Sequence, residues 1–96
     1  MKTVMVEKHL QPSITEVIVN ITKEYMRFYN IKAYEINNGL CEEFAKDVVQ
    51  EMESGEIVEV RKNMHTVVKF NDIYYDSVHP FGVNDKNTTL FCCEEK

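Results

Sequence analysis

The chain has 96 residues, of which 44% are hydrophobic and 28% charged, and this composition excludes low-complexity disorder and collagen-like structure. Its 11 basic and 16 acidic residues give a formal net charge of −5. Nucleic acids and anionic membrane surfaces attract basic proteins, so neither is expected as a partner. The length predicts a single domain over residues 1–96.

The sequence also bears on where the protein works. No apolar run reaches the roughly eighteen residues that a membrane-spanning helix requires. The first ten residues lack the apolar core of a signal peptide. Three cysteines are an odd count, which favours reduced thiols over a disulfide framework. We therefore expect a cytoplasmic protein.

Two helices are predicted in the first half of the chain, after a short strand or arm at residues 2–7. The first helix opens at Ser13, which precedes Glu16 by the spacing of a capping box. Its apolar face is predicted to carry Ile14, Val17, Ile18, Ile21, Tyr25 and Phe28. A connector over residues 30–38 leads to the second helix.

The second helix is predicted to begin at Leu40 or Cys41. It is predicted to end at Ser54-Gly55, with Gly55 in the left-handed cap conformation. Its apolar face is predicted to consist of Cys41, Phe44, Ala45, Val48 and Met52.

From residue 56 onward the apolar period changes to two, which predicts strands at 57–60, 65–70 and 73–78. The pair Asn71-Asp72 is the expected hairpin turn between the last two strands, and residues 62–63 are another turn. Residues 79–82 are predicted to interrupt the sheet, and residues 88–93 to add a short strand. The fold class predicted is α+β.

Cys41 is the first candidate for chemistry, because it stands at the predicted start of a helix. A thiol is a weak nucleophile until it loses its proton. The free N–H groups and the positive dipole end of a first helical turn favour the anion, and they also lie where an oxyanion would form. The alternative is that Cys41 is a small buried residue of the helix face.

His65 and Asp76 are the second candidate, because the predicted hairpin brings them together. A turn at residues 71–72 pairs Phe70 with Ile73, which makes His65 and Asp76 diagonal neighbours on one face. A carboxylate at this position would fix the tautomer of His65 and stabilise its protonated ring. The alternative is a surface pair at the end of a strand.

These segments resemble the papain-like cysteine hydrolases, a superfamily with transglutaminase-like and cell-wall-amidase branches. Residues 38–45 (NGLCEEFA) are similar to the segment in which a glycine and a cysteine precede an apolar helix. Residues 65–77 (HTVVKFNDIYYDS) are similar to its histidine hairpin, and the continuation through residue 83 resembles small phage-encoded members. The resemblance covers about half of the chain.

The resemblance implies a minimal papain-like core, in which the cysteine-bearing helix packs on a small antiparallel sheet. It implies that Cys41 is the nucleophile, that His65 is the general base and acid, and that Asp76 orients His65. The implied activity is cleavage of an amide, isopeptide or thioester in a peptide or amide-bearing substrate, such as a host protein. It proceeds through a thioester acyl-enzyme and requires neither cofactor nor metal.

Two departures from the family keep alternatives open. Papain has a glutamine six residues before its cysteine as an oxyanion donor, whereas this chain has Glu35 at that position. Papain also has a tryptophan after its cysteine pair, whereas this chain contains no Trp. Asn37 or Asn38 is the candidate replacement. One alternative is a catalytically inactive papain-fold binding module, such as a phage-encoded inhibitor of a host protein. Another is an α+β interaction domain whose resemblance is accidental.

The remaining histidines and cysteines are interpreted as structural. His79 precedes Pro80, so its backbone is expected to be extended, and it is predicted to lie in a loop. The other reading for His79 is that it lines the site or competes with His65 as base. Cys92 and Cys93 lack the spacing of zinc ligands and are expected to be ordinary thiols.

Overall fold

A computed structural model describes residues 13–61 and 64–90. Over these residues the chain is a small α+β domain with two α-helices and a four-stranded antiparallel sheet, in the order β1-β2-β3-β4. The elements are α1 (Ile14–Tyr29), a 3-10 helix (Ala33–Asn37), α2 (Cys41–Met52), β1 (Glu56–Val60), β2 (His65–Phe70), β3 (Ile73–Asp76), β4 (His79–Val83) and a second 3-10 helix (Lys86–Leu90). The predicted strand over residues 88–93 is wrong for residues 88–90, which belong to the second 3-10 helix. The predictions for residues 2–7, 62–63 and 91–93 lie outside the described residues.

Helix α1 begins where the capping signal predicts. The side chain of Ser13 accepts a hydrogen bond from the backbone N–H of Glu16 at 3.1 Å. The predicted apolar face is buried from Ile14 to Tyr25, but the prediction is wrong for Phe28, which is 80% exposed. The buried core ends near Tyr25, so the ring of Phe28 packs edge-on against Tyr29 instead.

Helix α2 begins at Cys41, and Phe44, Ala45 and Val48 of its predicted apolar face are buried. The remaining two members of that face, Cys41 and Met52, are half-buried. The left-handed cap is Glu53 (φ 57°), so the prediction of Gly55 as the cap is wrong. The backbone N–H groups of Glu53 and Ser54 already bond to carbonyls of the last turn, which ends the helix before Gly55 is reached.

Strands β2 and β3 form the predicted hairpin, in which Phe70 pairs with Ile73. Both turn residues have positive φ, 54° for Asn71 and 65° for Asp72, as a two-residue hairpin turn requires. Strand β3 ends at Asp76, two residues earlier than predicted.

The predicted interruption at residues 79–82 is wrong, because these residues belong to strand β4. Pro80 is tolerated because β4 is the edge strand of the sheet. Gly82 (φ 88°) leaves room for a side chain of the neighbouring strand β3, because a Cβ atom at this position would lie 2.3 Å from Cγ2 of Ile73. The ladder between these strands is irregular at the same place.

Both faces of the sheet contain buried residues, but the two faces differ in chemistry. On one face Val68 and Tyr75 join the apolar core that the two helices cover. On the other face Val67 is buried beside His65 and Asp76. His65 and Asp76 are therefore not a surface pair.

Candidate active site

A pocket of about 280 Å³ at one end of the sheet contains both Cys41 and His65. Cys41 is the first residue of α2 and His65 the first residue of β2, so the two segments that carry the resemblance meet here. The lining residues are Asn37, Gly39, Cys41, Glu42, Glu59, Met64, His65 and Thr66. Among residues 13–61 and 64–90, no hydrogen bond joins the thiol of Cys41 to the ring of His65.

The surroundings of Cys41 combine a favourable helix end with opposing charges. The preceding residue, Leu40, provides no side-chain cap, so no cap occupies the amide N–H groups of the first turn. Free N–H groups and the positive dipole end are features that attract anionic groups to helix starts in general. Glu42 and Glu43 lie in the same turn and are exposed. Their carboxylates interact with the same dipole and oppose a thiolate.

The ring of His65 is held by Asp76, as the hairpin register predicts. Nε2 of His65 lies 2.8 Å from Oδ2 of Asp76, and the two side chains are 5% and 1% exposed. A carboxylate accepts hydrogen bonds, so Nε2 carries the proton of the neutral ring. No described residue bonds to Nδ1, which is therefore the ring nitrogen left to accept a proton.

The other oxygen of Asp76 also has partners. Oδ1 accepts from the backbone N–H of Val78 at 3.1 Å and lies 2.8 Å from Nδ1 of His79. Burial raises the pKa of Asp76, but the hydrogen bonds from His65 and His79 and the charge of these rings outweigh it. The pKa of Asp76 therefore lies below its usual value. Asp76 is an anion in the folded protein at neutral pH.

His79 was predicted to lie in a loop, but it is the first residue of β4. The hydrogen bond to Asp76 raises the pKa of His79 above its ordinary value, against the opposing effect of burial. Residues 77 and 78 form a turn that places Asp76 opposite His79 in the ladder. The spacing of an aspartate and a histidine across a two-residue turn is the sequence signal that could have found this contact.

The same turn contacts the segment that precedes Cys41. The hydroxyl of Ser77 donates to the carbonyl of Ala33 at 2.8 Å and lies 3.5 Å from Oδ1 of Asn37. Nδ2 of Asn37 is buried and has no hydrogen-bond partner among the described residues. An unpaired buried donor costs about 1–3 kcal/mol. An acceptor atom of a ligand in the pocket would remove this cost.

Glu35, which stands at the position of the papain glutamine, is not a lining residue of the pocket. Its side chain accepts from the backbone N–H of Lys32 at 2.8 Å and so caps the first 3-10 helix. Of the two asparagines considered as replacements, Asn37 lines the pocket with Cys41, whereas Asn38 does not.

Comparison of the chain with models of protein families, with curated proteins and with solved structures finds no significant match. The resemblance to papain-like hydrolases therefore rests on the sequence segments alone. No helix in the described part of the chain has the length and apolar character needed to cross a membrane. Within the same residues, no group of three or more His, Cys, Asp or Glu side chains is arranged to hold a metal ion.

Proposed function

We propose that the protein is a small papain-like cysteine hydrolase, which cleaves an amide, isopeptide or thioester bond in a peptide or amide-bearing substrate. One observation carries the proposal. Cys41 at an uncapped helix start shares a pocket with His65, and the far nitrogen of His65 is held by the buried carboxylate of Asp76. The candidate nucleophile and the candidate base therefore line one pocket, and the candidate base has a carboxylate partner.

In the proposed reaction, Nδ1 of His65 takes the thiol proton and Sγ of Cys41 attacks the carbonyl carbon. The new C–S bond forms as the π electron pair moves onto the carbonyl oxygen. The His65 ring then gives its proton to the leaving amine as the C–N bond breaks, which leaves a thioester. Water, deprotonated by His65, hydrolyses the thioester and frees the thiol and a carboxylic acid. Asp76 stabilises the protonated ring throughout.

We infer two kinds of donor for the oxyanion in this scheme. One is the set of backbone N–H groups in the first turn of α2, and the other is the unpaired Nδ2 of Asn37. Removal of a single side-chain donor of this kind costs about 10²–10³-fold in rate. We assign Asn37 the role that the glutamine has in papain. We also propose a cytoplasmic location, where a catalytic thiol stays reduced.

The test is site-resolved alkylation by iodoacetamide, followed by mass spectrometry, with Cys92 and Cys93 as reference thiols in the same chain. An ordinary thiol titrates near ~8.5, so at about pH 6 only an activated cysteine reacts fast. We expect Cys41 to react fast and to lose this reactivity in His65→Ala. The matched control is Phe81→Ala, which removes a ring that is 82% exposed. A Cys41 that reacts no faster than the reference thiols contradicts the proposal.

A catalytically inactive papain-fold binding module, such as a phage-encoded inhibitor of a host protein, is the second candidate. Two observations favour it: no hydrogen bond joins Cys41 to His65, and Glu42 adds a carboxylate to the pocket wall. This candidate predicts that Cys41→Ser keeps the biological effect, whereas the hydrolase loses it.

A further inference from the structure

Asp76 is shared between two histidines, although a catalytic triad needs only one. Oδ2 lies 2.8 Å from Nε2 of His65, and Oδ1 lies 2.8 Å from Nδ1 of His79. The three side chains are 1% (Asp76), 5% (His65) and 14% (His79) exposed. A single buried carboxylate carries one negative charge, so it compensates one protonated ring but not two.

We propose that His79 is a positioning residue of this site, which fixes Asp76 and competes with His65 for its single negative charge. The part that His79 plays in catalysis rests on the proposed hydrolase function. The competition between the two rings for one charge does not depend on that function.

The contacts of Asp76 explain how His79 fixes it. Oδ1 is held from two directions, by the backbone N–H of Val78 and by the ring of His79. Rotation of the carboxylate would break both contacts, so Oδ2 stays directed at His65. Removal of the His79 ring leaves Val78 as the partner of Oδ1.

The charges around His79 are simple. The carboxylate of Asp76 is the charged group that acts on its ring among the described residues. Strand β4 also packs against α1 and against the 3-10 helix Lys86–Leu90, and neither brings a charged group to the ring. His65 acts on His79 through the carboxylate that the two rings share.

The proton on His79 therefore decides how much of the charge of Asp76 remains for His65. A protonated His79 forms an ion pair with Asp76, and a second proton on His65 then meets a positive charge across the carboxylate. A neutral His79 leaves the charge to His65, which can accept the thiol proton more readily. Protonation of one ring thus makes protonation of the other ring less favourable.

The test is an NMR titration of the His79 ring signals over about pH 4 to 9, which brackets ordinary histidine protonation. It compares the unaltered chain with His65→Gln, which keeps an N–H donor for Asp76 but takes up no proton. We expect the protonation midpoint of His79 to rise by about one pH unit, the coupling at which two groups titrate as a pair. His79→Gln assigns the signals, and Phe81→Ala on β4 is the control, with an unchanged midpoint expected.

An unchanged midpoint in His65→Gln overturns the proposal. If that variant does not fold, the unaltered chain decides, because coupled rings titrate in two steps at common pH values. Two independent single-step curves overturn the proposal in that case. Failure of the alkylation test removes the hydrolase function but does not move these midpoints, so the two failures are distinguishable.

Discussion

The two helices begin in different ways. The start of α1 stabilises the fold, whereas the start of α2 lines the candidate site. At the start of α1, Ser13 caps the helix through the backbone N–H of Glu16. At the start of α2, Leu40 provides no side-chain cap and Cys41 lines a pocket. A side-chain cap stabilises a helix by about 1 kcal/mol. Helix α2 lacks this contribution at the end where free N–H groups can serve a ligand.

The largest effect is expected when the uncapped start loses its thiol. Cys41→Ser should lower amide hydrolysis to background, because a serine hydroxyl is far less acidic than a thiol and the thiolate is the nucleophile in the proposed reaction. The melting temperature should not change, because the two side chains differ by one atom. Turnover of an amide substrate and thermal unfolding check the two statements. A variant that hydrolyses substrate normally would exclude Cys41 as the nucleophile.

The second-largest effect is expected when Asp76, which bonds to Nε2 of His65, loses its charge. Asp76→Asn should slow turnover by up to ~10⁴-fold, because an amide lets the ring adopt the wrong tautomer. Asp85→Asn is the matched control, because Asp85 accepts from the backbone N–H of Asn87 and is not a lining residue of the pocket. Steady-state kinetics of the two variants decide the point. An unchanged rate in Asp76→Asn removes Asp76 from the mechanism.

Two glycines with positive φ, Gly82 in the sheet and Gly39 beside the pocket, differ in how closely they are packed. A Cβ at Gly82 would lie 2.3 Å from Ile73 and 2.8 Å from Tyr75, whereas a Cβ at Gly39 meets no atom within 4 Å. Both alanine variants strain the backbone, but only Gly82→Ala also overpacks the sheet. Its unfolding free energy should fall further than that of Gly39→Ala, by about 1–3 kcal/mol. Equal losses in urea unfolding would contradict this packing role of Gly82.

The network around Asp76 makes the unfolding free energy depend on pH. The pKa of Asp76 is lowered from 3.8 by folding, so its contribution is present above pH 3.8 and is lost as pH falls through the folded pKa. The pKa of His79 is raised from 6.5, so its contribution is full below pH 6.5 and is lost as pH rises through the folded pKa. Both contributions are full between these two values.

Urea unfolding at about pH 5 and pH 8 measures this dependence. The unaltered chain should lose stability between these two pH values through His79, and Asp76→Asn should lose much less. An equal loss in both proteins would show that the pH dependence has another origin.

The smallest effect belongs to the capped helix. Ser13→Ala should lower the unfolding free energy by about 1 kcal/mol. The alkylation rate of Cys41 should not change, because the cap of α1 makes no contact with the pocket. A parallel drop in Cys41 reactivity would break the separation of scaffold from site.

Local signals predicted those parts of the fold that local physics determines. The cap at Ser13 and the turn at residues 71–72 depend on neighbouring residues alone, and both were predicted. The turn also gave the register that brings His65 to Asp76. Phe28 was predicted wrongly, because helical spacing defines a face but not how far along the helix the core extends.

Strand β4 could not be predicted, because its pairing depends on the rest of the sheet. Pro80 and Gly82 both weaken a strand signal, yet an edge position tolerates Pro80 and the close approach of the Ile73 side chain requires Gly82. Since β4 was missed, His79 was placed in a loop. The contacts of Ser77 with the first 3-10 helix were missed for the same reason, because they join segments far apart in the sequence.

The contacts of Asp76 and Ser77 differ in the length of chain that each one closes. The bond from Asp76 to His65 spans 11 residues, whereas the bond from Ser77 to Ala33 spans 44. Each doubling of a loop costs about 0.6 kcal/mol of chain entropy, so the longer closure costs about 1.2 kcal/mol more. In a newly synthesised chain, Cys41 would then reach the pocket only after the hairpin has formed.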